Sequence, residues 1–378
     1  MSEPPSPYPW FAPRIWHGMC AATWLGLLRS EWRSIRLSRI PLACTVTCFS
    51  LGNSLLRLIE RCLFFNTSTG YVRDDPVIIL GHWRSGTTLL HELLSLDPRH
   101  CAPNTFQCMA PSHFLLSEAL VRKMFSWILP RKRPMDDMEL TWESPQEEEF
   151  ALCNMGVPSP YLRIAFPHSE WSRNSLRTTV HASMEKWRNE LICFLERVSR
   201  CNQGRLVLKC PLNMLRVPAL LEIFPRARFV HIVRDPLKLF PSTVRMWSTL
   251  IQSQGFDGCE SQEIEEFVLR NFTELYAEFD AAKAEIPAGR MYEISYEDLI
   301  AEPLKAIREM YTVLDLGGFE IVCGLVESYF RSRPVYRTTP HTLSFGEIER
   351  VRECWGAMMQ RYGHHLSEEA ETYQKLAV

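Results

Sequence analysis

No CxxC pair occurs among the 13 cysteines of this 378-residue chain, and their total is odd. Cys44 and Cys48 are four apart and Cys101 and Cys108 seven apart, so no zinc-finger spacing exists and no metal is expected. The pattern fits thiols kept reduced inside a cell, many of them buried. Net charge is nearly absent too: 42 Lys and Arg stand against 44 Asp and Glu, leaving −2. Bulk attraction to nucleic acid is thereby excluded, and any anion site must be local. There is no internal repeat and no low-complexity tract. An uninterrupted apolar run of the roughly 20 residues a membrane span requires is also missing. The best candidate, Ile40 to Leu56, is broken by Pro41, Thr45, Thr47, Ser50, Gly52 and Asn53. It lies too far from the start for a secretory signal.

What is present is an ordinary globular composition, 46% hydrophobic and 23% charged, enough for one large domain with an appendage. Residues 1–75 form the appendage. Prolines open it, and Trp16, Trp24, Leu25, Leu27 and Leu28 follow, with Arg29, Arg33, Arg36 and Arg39 behind them. Such a basic, tryptophan-bearing segment suits a membrane interface, giving peripheral contact through residues 14–65 and a cytoplasmic protein at the inner face of a membrane. It suits a helical lid or a partner-binding arm as well.

Residues 76–378 read as the main domain. Short apolar runs at Val77–Leu80, Arg205–Leu208, Arg228–Val233 and Met291–Ile294 predict buried strands. Helical patterns lie between and after them: Thr87–Leu96, Ser175–Arg200, Leu212–Ile223, Leu237–Leu250, Gln262–Glu285, then most of 297–332 and 344–361. Residues 100–170 read as irregular. Strands alternating with helices predict an α/β fold, a parallel sheet flanked by helices with a helical N-terminal appendage.

The most informative stretch is Gly81-His82-Trp83-Arg84-Ser85-Gly86-Thr87-Thr88, which follows a strand and opens a helix. Backbone N–H groups and the helix dipole there form an anion site. Compared with the nucleoside-triphosphate loop GxxxxGK[ST], Gly81, Gly86 and Thr88 fit, but Thr87 stands in the lysine's place. The loop's cation is Arg84, whose planar fork suits tetrahedral oxyanions. A second candidate anion site is Arg234, at the end of the strand Arg228–Val233, with Ser242 eight residues later on the next helix. The alternative for Arg234 is an ion pair with a neighbouring acid such as Asp235.

Together these motifs resemble those of sulfotransferases that use 3′-phosphoadenosine 5′-phosphosulfate (PAPS), in the branch of tyrosylprotein and bacterial enzymes. The resemblance covers residues 76–250 well and says nothing of residues 1–70. It implies the P-loop-like sulfotransferase fold, with Arg84, Ser85, Gly86, Thr87 and Thr88 on the 5′-phosphosulfate and Arg234 and Ser242 on the 3′-phosphate. Leu208-Lys209-Cys210-Pro211 matches the family's lysine strand, implying that Lys209 neutralises the leaving group. In the basic stretch 331–338, Arg337 would close on the 3′-phosphate and Tyr336 would pack beside it. Cys210, Asn213 and Leu89 depart from residues common in the family.

Sulfuryl transfer needs position, cations and a base. Where the family's tyrosylprotein enzymes carry a glutamate, Pro103-Asn104-Thr105 offer no carboxylate. Glu147 and Glu149, from the cluster Glu147-Glu148-Glu149, are therefore the candidate bases, although acids opening a helix also complement its dipole. His82, His91 and His168 are rivals. The expected acceptor is a hydroxyl on a lipid-like alcohol, with protein tyrosine or carbohydrate as alternatives. Two other functions remain open: a P-loop nucleotide kinase, and a non-catalytic membrane-associated nucleotide-binding protein.

Overall fold

The computed structural model describes residue 8 and residues 12–64, 72–130, 132–133, 138–202, 204–332 and 343–362. Arg337 and Tyr336 lie outside the described residues.

Five strands form the central sheet: β1 (Val77–Leu80), β2 (His100–Cys101), β3 (Arg205–Lys209), β4 (Arg228–Val233) and β5 (Met291–Ser295). Their spatial order is β2-β3-β1-β4-β5, and every pairing is parallel. Strand side chains alternate between faces. Ile78, Leu80, Leu208 and Phe229 join the larger core with Trp187, Trp247 and Trp355. Val77, Ile79, Val207 and Ile232 join the smaller one with Leu90, Ile307 and Val322. Helices cover both faces, which is why β1 reads as an unbroken apolar run and is wholly buried.

The appendage contains α1 (Ala21–Glu31) and α2 (Ile40–Leu63). The main domain contributes α3 (Thr87–Ser95), α4 (Thr105–Met109), α5 (Phe114–Met124) and α6 (Glu148–Asn154). Three short helices α7–α9 follow (Leu162–Ala165, Glu170–Arg173, Leu176–Ala182), then α10 (Met184–Cys201), α11 (Val217–Ile223), α12 (Pro236–Gln254) and α13 (Ser261–Ala282). Last come α14–α16 (Tyr296–Ala301, Pro303–Val313, Phe319–Ser332) and α17 (Phe345–Arg361).

Four expectations need correction. The span 100–170 is not irregular: it holds α4 to α7, of which α4, opened by the Asn104 cap on Gln107 N–H, α6 and α7 are too brief for periodicity to show. The helix predicted over 175–200 is two. Ser183 ends α9, bonding its Oγ back to the Thr179 carbonyl at 3.0 Å. The helix predicted over 212–223 is likewise split, into a 3₁₀ turn at Pro211–Leu215 and α11. The apolar run at Ile40 continues to Leu63, and the 27 residues from Leu37 to Leu63 are long and apolar enough to cross a membrane by length and composition. Of the polar residues that break the run in sequence, Ser50 and Asn53 are buried against the body, and the helix continues through all of them.

The appendage is anchored to the body. Trp16 and Trp24 are fully buried, not interfacial. Trp16 Nε1 donates to the Gln254 carbonyl at 2.9 Å, and Trp24 Nε1 to Thr47 Oγ1 at 2.8 Å.

Candidate active site

Strand order places the site. From β1 the chain leaves toward β2 on one side of the sheet, and from β4 it leaves toward β5 on the other. The crevice beyond the carboxyl ends of β1 and β4 is therefore the topological switch point, where open α/β sheets bind ligands. The Gly81–Thr88 loop leaves β1 there, and Arg234 directly follows β4.

The loop needs its glycines. Gly81 has φ 153° and Gly86 φ 102°. A Cβ on Gly81 would meet the Ile232 carbonyl oxygen at 2.7 Å, and one on Gly86 would meet the Tyr296 ring at 2.4 Å. Arg84 itself sits at φ 70°, a left-handed conformation that few non-glycine residues adopt. Ser85 Oγ ties the turn by donating to the His82 carbonyl at 2.8 Å. Gly86 is the N-cap of α3 with no side-chain cap, so the helix opens toward the crevice with backbone N–H groups.

The two anion motifs meet. Arg84 Nε donates to Ser242 Oγ at 3.0 Å. Arg234 Nη1 donates to the Arg84 carbonyl at 2.8 Å, and its guanidinium lies 4.5 Å over the Tyr296 ring. Arg84, Arg234 and Ser242 thus form one cluster on the crevice wall.

Lys209 ends β3, paired with Ile79 of β1, and its side chain is only 2% exposed. Its Nζ contacts Glu147 Oε1 at 2.5 Å. Glu147 is the N-cap of α6, and its other oxygen accepts the Tyr161 hydroxyl. Trp83, inside the phosphate loop, donates Nε1 to the same Tyr161 oxygen at 2.9 Å. A hydrogen-bonded chain therefore runs from the loop through Tyr161 and Glu147 to Lys209. Burial holds the Tyr161 phenol well above its ordinary range, so it stays a donor.

The three consecutive glutamates have three different fates. Glu147 lines an apolar cavity of about 100 Å³ with Trp83, Phe150, Tyr161, Met246 and Trp247. Glu148 is buried; its oxygens accept Asn213 Nδ2 at 2.7 Å and the Lys209 backbone N–H at 3.1 Å, and burial raises its pKa. Glu149 is completely buried, gripped by Arg216 at 2.6 and 3.1 Å and by Ser159 at 2.5 Å. Glu149 is therefore not placed to act as a base: it is 0% exposed, and unlike Glu147 it does not line the cavity.

The histidine rivals are also accounted for. Burial pushes the His82 and His91 imidazoles down to about 3, leaving them neutral. His168 lies on the surface between Asp257 and Glu263, and its bond to Asp257 raises its pKa. Sequence reasoning missed Trp83, Tyr161 and Arg216. Trp83 stood inside the quoted loop, but Tyr161 and Arg216 belong to no motif.

A sequence model described as the sulfotransferase family matches residues 76–320. The chain belongs to the sulfotransferase family. As a sulfotransferase it is 35% identical over 367 residues to the omega-hydroxy-beta-dihydromenaquinone-9 sulfotransferase Stf3 of Mycobacterium bovis, covering 96% of this chain and 94% of that one. Among solved structures, sulfotransferase STF9 of Mycobacterium avium superposes with a TM-score of 0.70 at 20% identity, covering 92% and 91% of the two chains. STF1 of Mycobacterium tuberculosis gives 0.59 at 17% identity, covering 92% and 94%. These likenesses extend through the N-terminal helices, so the appendage of this sulfotransferase belongs to a shared architecture.

Proposed function

We propose that this sulfotransferase moves the sulfuryl group of PAPS to a hydroxyl on a lipid-like acceptor. The observation that carries the reading is the Glu147–Lys209 pair, set between the phosphate-binding crevice and an apolar cavity. The relative named for a hydroxylated menaquinone supports an acceptor of that class.

Each residue then has a task. The opening N–H groups of α3, with Ser85, Gly86, Thr87 and Thr88, hold the 5′-phosphosulfate. Arg234, Ser242 and Arg84 hold the 3′-phosphate; the Arg84–Ser242 bond moves Arg84 toward that group and away from the transferring sulfonate. Glu147 takes the acceptor's proton as the new O–S bond forms. Lys209 neutralises the charge that builds on the leaving phosphate as the old O–S bond breaks, leaving 3′-phosphoadenosine 5′-phosphate (PAP). Tyr161 orients Glu147, and Arg216 with Glu149 fixes the start of α6 on which Glu147 sits.

Calorimetric titration with PAP tests the donor half. Magnesium-independent binding is expected, absent for ATP and weakened by about tenfold or more in Arg234→Ala, the loss of one charge-assisted phosphate contact. Magnesium-dependent ATP binding without PAP binding would overturn the reading. Gly86→Ala provides a second check, since a methyl group there drives into Tyr296 from a backbone conformation alanine avoids. A strain of about 1–3 kcal/mol at this loop should weaken PAP by roughly tenfold. Unchanged PAP affinity would show that the loop geometry is not needed.

A further inference from the structure

Helix α2 is inside out. After Ala43 and Val46, its protein-facing side carries Ser50, Asn53 and Glu60, while Leu51, Leu55, Leu58 and Leu63 on the outer side are each 58–62% exposed. An ordinary surface helix of a soluble domain shows the opposite polarity. We infer that this outer face docks the enzyme on an anionic phospholipid bilayer, with the helix lying in the interface and not spanning it.

Spanning is opposed by the polar side. Asn53 Nδ2 donates to the carbonyls of His17 and Met19 at 2.6 and 3.0 Å, and its Oδ1 meets His113 Nε2 at 3.0 Å. Glu60 accepts the Leu116 N–H at 3.0 Å and pairs with Arg197. Ser54 Oγ accepts the Ala21 N–H at 2.8 Å. Insertion across a bilayer would strip all of these and leave a carboxylate in hydrocarbon. Docked flat, α2 keeps every one and buries only its leucines.

A second helix with exposed apolar residues touches α2. Helix α5 packs on it through the Leu116–Glu60 bond and exposes Leu120 and Met124, followed by Trp127 at 68% exposure. Two residues later Leu129 forms part of the cavity wall beside Glu147, and Pro13 and Ile15 of the appendage line the same cavity. The apolar surface thus leads by short chain connections to the cavity proposed for the acceptor, a link that rests on the lipid-acceptor reading; the surface itself does not.

Charge selects the partner. Residues 14–64 contain seven arginines and two glutamates, a net +5 in a chain whose total is −2. Arg57 and Arg61 on α2 itself, and Arg29 and Arg33 in the segment before it, are exposed. Two copies of so basic a face repel each other, whereas an anionic leaflet attracts it.

Flotation of the full chain with vesicles decides the matter. The wild type is expected to float with phosphatidylglycerol-containing vesicles, about tenfold less with pure phosphatidylcholine, and to be released by high salt. Leu55→Glu/Leu58→Glu should stay unbound while PAP affinity, measured on the same sample, is unchanged. Failure of the wild type to float, or equal flotation of the variant, overturns the inference. So does a wild-type dimer that this variant converts to monomer without any vesicle binding, which would give the face to a second copy. Absence of PAP binding in the wild type counts against the donor reading alone.

Discussion

Glu147→Gln is expected to lower kcat by about two to three orders of magnitude while PAP affinity is unchanged. All three glutamates have both oxygens hydrogen-bonded, and access to the cavity separates them. Glu148 spends both oxygens on Asn213 and the Lys209 backbone, and Glu149 spends both on Arg216. Glu147 alone of the three lines the cavity, with one oxygen on Lys209 and the other on Tyr161. An acceptor hydroxyl entering that cavity meets a carboxylate already aligned by two donors. Glutamine keeps the size and can still accept from Tyr161, but it cannot take a proton. Initial rates at saturating PAPS, with KM for the acceptor measured separately, would show a loss in kcat with KM little moved. Retention of full kcat would remove Glu147 from the chemistry and leave Lys209 and the phosphate contacts as the whole catalytic apparatus.

The donor crevice was legible because its chemistry is local in sequence. A strand, a glycine-spaced turn and a helix start occur within twelve residues, and Arg234 and Ser242 lie on the next strand–helix unit. Val77–Leu80 and Arg228–Val233 announce themselves as strands because both sheet faces are covered, so no polar residue interrupts them. The cavity proposed for the acceptor was not legible in that way. Its wall is assembled from the appendage, α4, α6, α7 and α12, and nothing in their spacing relates Tyr161 to Trp83 or Leu129 to Met246. The glutamate cluster shows the same limit more sharply. Three identical neighbours read alike in sequence, and only the helix start at Glu148 rotates one toward the cavity and two into the body. Helix α2 was half legible: its broken apolar run was visible, but not that Ser50 and Asn53 within it face the protein while its leucines face outward.

Arg216→Met is expected to destabilise the fold by about 3–5 kcal/mol, the cost of leaving a buried charge without its partner. Arg216 and Glu149 are both 0% exposed, joined by two hydrogen bonds, and the guanidinium lies 4.6 Å over the Trp187 ring. Removal of the cation leaves the Glu149 carboxylate with Ser159 as its hydrogen-bonding partner in an apolar surround. Methionine roughly fills the space, so the loss measures charge more than volume. The double variant Arg216→Met/Glu149→Leu removes both desolvated ions together and should recover much of the stability. Urea midpoints of wild type, both single variants and the double variant form the cycle; a double variant no more stable than Arg216→Met would show that packing, not charge, sets the cost. Activity need not recover with stability. Glu149 lies two residues from Glu147 on the same first turn of α6, and Arg216 lies seven residues past Lys209 on the segment leaving β3. The ion pair therefore clamps the segments that carry Glu147 and Lys209 to each other. A stable double variant with depressed kcat, normal PAP affinity and an altered pH–rate profile would identify the pair as a positioning device for the Glu147–Lys209 contact, whereas full recovery of kcat would confine it to stability.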